Sequence, residues 1–177
     1  MSDSDFFADQ LRVSADQLTW AARQVPEARR WLSPGKGWSA ARIVYHMAYY
    51  EREIAAPAMR LWLGGPPVDD SRFDAEDGEW EREGQTMTYD ALLDAFARGR
   101  AEQAALAPRL AGLWDAARPT GWDMPGVEPT TLRWVVSKTI QHTFEHSNEL
   151  MRMSLFWDRM LAHQAAERAG EQETAGE

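Results

Sequence analysis

The chain has 177 residues, enough for one compact domain with its own core, and 44% of them are hydrophobic and 27% charged. A formal net charge of −9 argues against a nucleic-acid binder, which needs a basic face to displace counterions from phosphates, and against an anionic membrane surface. The absence of cysteine removes disulfides, thiolate zinc sites, redox pairs and a cysteine nucleophile together, so any thiol chemistry takes its sulfur from a cofactor or substrate.

The opening run Met1-Ser-Asp-Ser-Asp-Phe-Phe is acidic and lacks a signal-peptide layout, which points to a cytoplasmic domain. A first helix is expected from an N-cap near Ser4, with Phe7, Leu11, Leu18, Ala22 and Val25 forming one apolar stripe that Pro26 breaks. Ser33-Pro-Gly-Lys-Gly reads as a loop. A second helix opens at Ser39, whose hydroxyl can accept from the first-turn amides, with Trp38 packed just before the cap. Ile43, His46, Tyr49, Tyr50, Glu53 and Pro57 share one side of it, with Arg42 beside them at the first turn. The apolar stretch from Ile54 to Leu63 is interrupted by Pro57 and Arg60, so it cannot span a membrane.

From Gly64 to about Met87 no helical stripe is found. Residues 69–83 carry eight acids, Glu76 and Glu79 among them, against Arg72 and Arg82. Read as a calcium loop around Gly84, the segment offers glutamates where short aspartates are required, so a solvated loop is expected. A connection this long can cross the end of a bundle and leave its flanking helices parallel. A third helix starts near Thr88 and follows Tyr89, Leu92, Leu93, Phe96, Gln103, Leu106 and Leu110, with its regular part ending near Pro108. Ala117 to Pro129 is a second irregular connection. Thr130 or Thr131 then starts the longest helix, expected to run to about Ala166, and residues 167–177 read as a disordered acidic tail. With no strand pattern, the expectation is an all-α four-helix bundle with a long crossover connection, forming one domain over residues 1–166.

The chain has nine tryptophans but four histidines. Most of the tryptophans are expected in dense core packing, and some of them, with Tyr50, could wall an apolar pocket. His142-Thr-Phe-Glu-His146 places two imidazoles one turn apart on one helical face, where both can reach a single point. Alone, such a pair is as often a set of surface or core histidines. His46, on the apolar side of another helix, shifts the balance toward an open three-nitrogen metal site of the catalytic type. His163, in the distal segment, is expected at the surface. Glu149 follows His146 by three residues and Glu53 follows His46 by seven. Either could orient a water or accept a proton, and the alternative for both is a solvated or arginine-paired carboxylate.

Gly37-Trp-Ser-Ala-Ala-Arg-Ile-Val-Tyr-His46 resembles the first signature of the DinB-like superfamily, and His142-Thr-Phe-Glu-His-Ser-Asn-Glu-Leu resembles its second. The superfamily includes YfiT-like metal-dependent hydrolases and the N-terminal domain of mycothiol-dependent maleylpyruvate isomerase. The resemblance extends from the first helix to about Arg152. It implies a four-helix bundle whose metal is held by His46, His142 and His146, dimerisation, and in several members transfer of low-molecular-weight thiols. The expected function is a divalent-metal-dependent enzyme acting on a small molecule with thiol transferase-like or hydrolase-like chemistry. Imidazole ligands suit zinc and nickel alike; zinc is the first expectation and nickel the second, with a low-molecular-weight thiol as possible co-reactant. Partners are expected to be a small-molecule substrate and a second copy of the chain, with no nucleic acid or membrane. Two alternatives stand: a non-catalytic metal-binding dimer with a stress-response role, and a helical scaffold with structural histidines.

Overall fold

Ser2, rather than Ser4, caps the first helix. In the computed structural model, which describes residues 1–35, 37–121 and 129–174, α1 spans Asp3–Gln24. The Ser2 hydroxyl accepts from the Asp5 amide at 3.2 Å while the Asp5 carboxylate accepts from the Ser2 amide at 3.2 Å. This is a capping box with aspartate in the place of the usual glutamate. Ser4 lies two residues further on, within the first turn, buried and accepting from the Trp114 indole N–H at 3.1 Å.

The second helix is capped as its sequence predicts. The Ser39 hydroxyl accepts from the Arg42 amide at 3.1 Å, and α2 covers Ala40–Tyr50. It continues without a break in direction through a π-helical turn over Glu51–Ala55 into α3 (Ala56–Arg60), ending at Gly64 in the left-handed conformation that glycine favours. Thr88 caps α5 (Tyr89–Leu106), its hydroxyl accepting from the Ala91 amide at 3.2 Å, and a 3₁₀ turn at Ala107–Leu110 follows where Pro108 disfavours a longer helix. The longest helix, α6, runs over Leu132–Thr174 with a kink at Phe156, so its backbone reaches into the segment assigned to an acidic tail. Residues 175–177 lie outside the described residues, as does 122–128 of the second irregular connection. That connection is pinned at its ends by a two-residue antiparallel ladder between β1 (Ala117–Arg118) and β2 (Thr130–Thr131).

The acidic connection differs from expectation. It contains a helix, α4 (Ser71–Arg82), and none of that helix's residues is buried. Its first turn is started by Asp69, whose carboxylate accepts from the Ser71 amide at 3.1 Å and hydroxyl at 2.7 Å. One half-buried aromatic, Trp80, packs against Tyr45 at the edge of the core, and the rest of its docking is charge. Arg42 holds Glu76 and Asp77, Arg52 reaches Glu79 at 3.0 Å, and Arg72 bridges Glu53 at 2.9 Å and Glu79 at 2.7 Å. A helix held by ion pairs leaves no apolar stripe to read.

Contacts along the helices fix their directions. Asp3 pairs with Arg133 and the Gln24 carbonyl with Ser154, so α1 and α6 run parallel. Tyr89 bonds the Ala22 carbonyl and Arg100 bonds Ser14, so α5 opposes α1. Glu51 meets Arg100 and, further along both elements, Arg60 meets Glu102, which makes α2–α3 and α5 parallel, as the long crossover predicts. Four long elements thus form the bundle and α4 is a fifth helix packed against it.

The core is split into two apolar bodies. One gathers Phe7, Leu11, Ile54, Trp62, Trp114, Leu132 and Val135; the other gathers Leu18, Ile43, Met47, Leu92, Phe96, Leu150 and Trp157. Between them lies a polar layer in which Arg100, 1% exposed, donates to Glu51 (2.6 Å), Thr143 (2.5 Å) and Ser14 (3.0 Å), while Gln103 donates to the other Glu51 oxygen. Gly99 permits this approach, because a β-carbon there would lie 2.7 Å from the Glu51 β-carbon. The expected burial of the tryptophans holds for Trp62, Trp114 and Trp157, whereas Trp20, Trp31 and Trp38 are exposed. No helix is long and apolar enough to cross a membrane among the described residues.

Candidate metal centre

His46 projects from α2, and His142 and His146 from consecutive turns of α6. The two helices run antiparallel here, with Tyr50 beside His142 and Trp38 beside His146, so the three rings meet between them. The His142 Nε2 atom lies 3.1 Å from the Nε2 of His46 and 3.1 Å from the Nε2 of His146. One ligand atom from each histidine falls within 4.8 Å of the others, a grouping of metal-binding size.

The outer faces of two rings are held by carboxylates. His46 Nδ1 faces the Glu76 oxygens at 2.8 and 3.0 Å, and His146 Nδ1 faces Glu149 at 3.0 Å. A carboxylate can only accept, so these contacts place the proton on Nδ1 in both neutral rings and leave both Nε2 lone pairs aimed inward. His142 can donate one Nε2 proton to one of them, not to both. At least one lone pair in the cluster is therefore left without a donor from the other histidines, and the bond lengths of ~2.0–2.1 Å usual for zinc on imidazole suit nitrogens about this far apart. His142 Nδ1 is buried without a partner. Burial, reinforced by His146, His46 and Lys138, pushes the His142 pKa down to about 3, so this ring stays neutral and able to ligate.

Glu76 went unrecognised in the sequence because it sits in the acidic run. Burial opposes its ionisation, but the His46 hydrogen bond and the Arg42 guanidinium prevail and hold its carboxyl below the usual range. Arg42 is itself buried, and its guanidinium stacks 4.4 Å from the centre of the Trp38 ring. Trp38 in turn lies over His46 and His146, with ring centres 4.9 and 6.2 Å away. The run from Gly37 to His46 thus reads physically: Trp38 covers the histidines, Ser39 caps the helix, Arg42 clamps the supporting carboxylate and His46 faces the centre.

The two carboxylates considered for proton transfer separate. Glu149 is placed on the outer nitrogen of His146, half-exposed, facing a cleft of about 520 Å³ that Trp38, Arg152 and Phe156 also line. Glu53 lies in the π-helical turn, and its oxygens accept from Arg52 at 2.5 Å and Arg72 at 2.9 Å rather than from a histidine. It takes the arginine-paired reading. His163 is exposed and lines the same cleft as Glu149, outside the three-histidine group.

On the opposite side of the cluster a second cavity, of about 270 Å³, opens between α2, α4 and α6. His46, His142, Tyr49, Tyr50, Ile54 and Phe73 supply its main surface. The Tyr49 hydroxyl donates to the Arg72 carbonyl at 2.5 Å, and burial pushes the Tyr50 hydroxyl up to about 12, so both tyrosines are neutral walls. Tyr50 therefore lines an apolar pocket as expected, while the nearest tryptophan, Trp38, lines the cleft on the other side of the cluster.

This fold and this histidine cluster define a helical protein with a possible three-histidine metal centre. The family model of the DinB superfamily matches residues 10–150, and the chain belongs to that superfamily. No curated protein and no solved structure matches it.

Proposed function

We propose that the protein is a divalent-metal-dependent enzyme that brings a low-molecular-weight thiol, or water, to a small electrophile at the His46, His142 and His146 centre. The observation that carries this reading is the convergence of three Nε2 atoms, two of them with their outer nitrogens held by Glu76 and Glu149. A divalent ion bound by three neutral imidazoles retains its full charge and lowers the pKa of a thiol or water brought to it. Zinc is the favoured ion and nickel the second. A chain without cysteine supplies no thiolate of its own, so the sulfur enters with a small thiol.

The chain's own residues supply orientation. Glu76 and Glu149 fix the tautomers of His46 and His146, Trp38 covers their rings, and the apolar cavity beside His142 excludes water from the electrophile. We further propose a homodimer as the working form, with no nucleic acid or membrane among its partners.

The test is elemental analysis of untagged protein, followed by turnover assays with small thiols and an aromatic electrophile. One metal per chain and transfer that is lost in His146→Ala are expected. Metal without turnover would favour a non-catalytic metal-binding role, and no metal at all would overturn the reading.

A further inference from the structure

The cavity beside His46 and His142 has one feature that metal binding does not use. Lys138 lines it, half-buried on α6 one turn before His142. Among the described residues no carboxylate pairs with it. The contrast with its surroundings is sharp, because arginines across α2 and α4 are taken up by Glu53, Glu76, Asp77 and Glu79. Glu76, the acid lining the same cavity, is already engaged by Arg42 and His46. Lysine is also scarce, at two residues against seventeen arginines, and its ammonium is a compact point charge on a flexible stem. A cation withdrawn partly from water, unpaired, at the edge of an apolar space has its electrostatic demand unmet.

The rest of the cavity sets the body of what fits. Tyr49, Tyr50, Ile54 and Phe73 offer flat and branched apolar surface. Its volume of about 270 Å³ equals roughly nine waters at ~30 Å³ each, room for a ring with a short side chain. Lys138 and His142 stand four residues apart on one helical face, ~5–6 Å between β-carbons, so the anionic group and the reacting centre of a ligand would be separated by only a few bonds.

We infer that this cavity takes a small carboxylic acid, its ring-sized apolar body between Tyr49, Tyr50, Ile54 and Phe73, its carboxylate on Lys138 and its reactive carbon toward His46 and His142. The inference rests on the proposed function only in giving that carbon something to react with; recognition by Lys138 is independent of the metal.

The test uses metal-stripped protein, so that a carboxylate cannot bind through an ion. Phenylacetate and its neutral isostere phenylacetamide are titrated while the Phe73 and Tyr49 ring resonances are followed by NMR. A charge-assisted contact at this depth predicts that phenylacetate binds about tenfold or more tighter than the amide. Lys138→Gln should bring the two ligands within about twofold, Lys138→Arg should retain the preference, and Phe73→Ala should weaken both ligands while leaving their ratio. Equal affinities in the wild type, or a preference that survives in folded Lys138→Gln, would overturn the inference. Zinc titration of the wild type keeps the two readings apart: carboxylate preference in a chain that binds no zinc would remove the metal and leave this inference standing.

Discussion

Glu76→Ala tests the centre where the sequence was least informative. The substitution removes the acceptor for His46 Nδ1 and one of the two carboxylates on Arg42, while Arg42 keeps Asp77 and its stacking on Trp38. The His46 ring is then free to turn or to carry its proton on Nε2, where it cannot ligate. Loss of such an outer partner typically costs about 10–100-fold in metal affinity, which is ~1.4–2.7 kcal/mol. Because the substitution leaves the α4 contact with the core, Trp80, in place, stability should change little by comparison. Glu76→Gln retains an oxygen that can accept from Nδ1–H but loses the charge, and should fall between wild type and Glu76→Ala. Glu53→Ala, which removes a carboxylate paired only with arginines, should bind zinc within about twofold of wild type. The assay is competition against a chromogenic chelator, with folding checked by circular dichroism. Unchanged zinc affinity in folded Glu76→Ala would refute the assignment of this carboxylate to the centre.

His46→Ala, His142→Ala and His146→Ala should each abolish stoichiometric zinc binding in calorimetry, while His163→Ala should leave it intact. Arg100→Met strands a fully buried Glu51 and should cost ~3–5 kcal/mol in urea unfolding, or about 6–20 °C in Tm. Adding Glu51→Gln, which keeps an acceptor for Gln103, should recover most of that loss. The pH dependence of the single variant follows from Glu51: burial already holds its carboxyl above the ordinary range against the pull of Arg100 and Gln103, and losing Arg100 raises it further. The folded state then binds a proton that the unfolded state releases, so the deficit of Arg100→Met relative to wild type should be smallest below the ordinary carboxylate pKa and grow as pH rises. Gly99→Ala should destabilise by ~1–3 kcal/mol by thermal melting, the contact with Glu51 outweighing a helix-propensity gain of up to ~1 kcal/mol. Sedimentation velocity at micromolar concentration should find a dimer, and a monomer alone would remove that part of the proposal.

Much of this architecture was readable residue by residue. Ser39 and Thr88 stand just before apolar stripes and cap the helices they precede, because a short hydroxyl there has little else to bond. The histidines were legible because four-residue spacing survives any regular helix and the third stood on an apolar face. Glu53 falls to the arginine-paired alternative for a local reason. Counting seven residues from His46 assumes α-helical rotation, and the chain enters a wider turn at Glu51, which gives Glu53 to Arg52 and Arg72. Arg100 stands four residues after Phe96 on the buried face, yet a cation there is counted as a gap in the stripe unless its partner Glu51, far away in sequence, is known. Glu76 and α4 were hidden together, since periodicity reports an apolar stripe and α4 packs only Trp80 against the core.

The ionic docking of α4 separates two things that most enzymes fuse. The bundle's cohesion resides in two apolar bodies to which α4 contributes no buried side chain, yet the anchor of His46 is carried on that helix. Its outer ties, such as Asp77 at 86% side-chain exposure, lie open to salt, whereas Glu76 and Arg42 are sheltered at 13% and 6%. A change among the crossover's carboxylates would therefore fall on the orientation of the histidine it supports more than on the apolar bodies beneath it. The bundle supplies permanence, and the acidic crossover supplies the adjustable part.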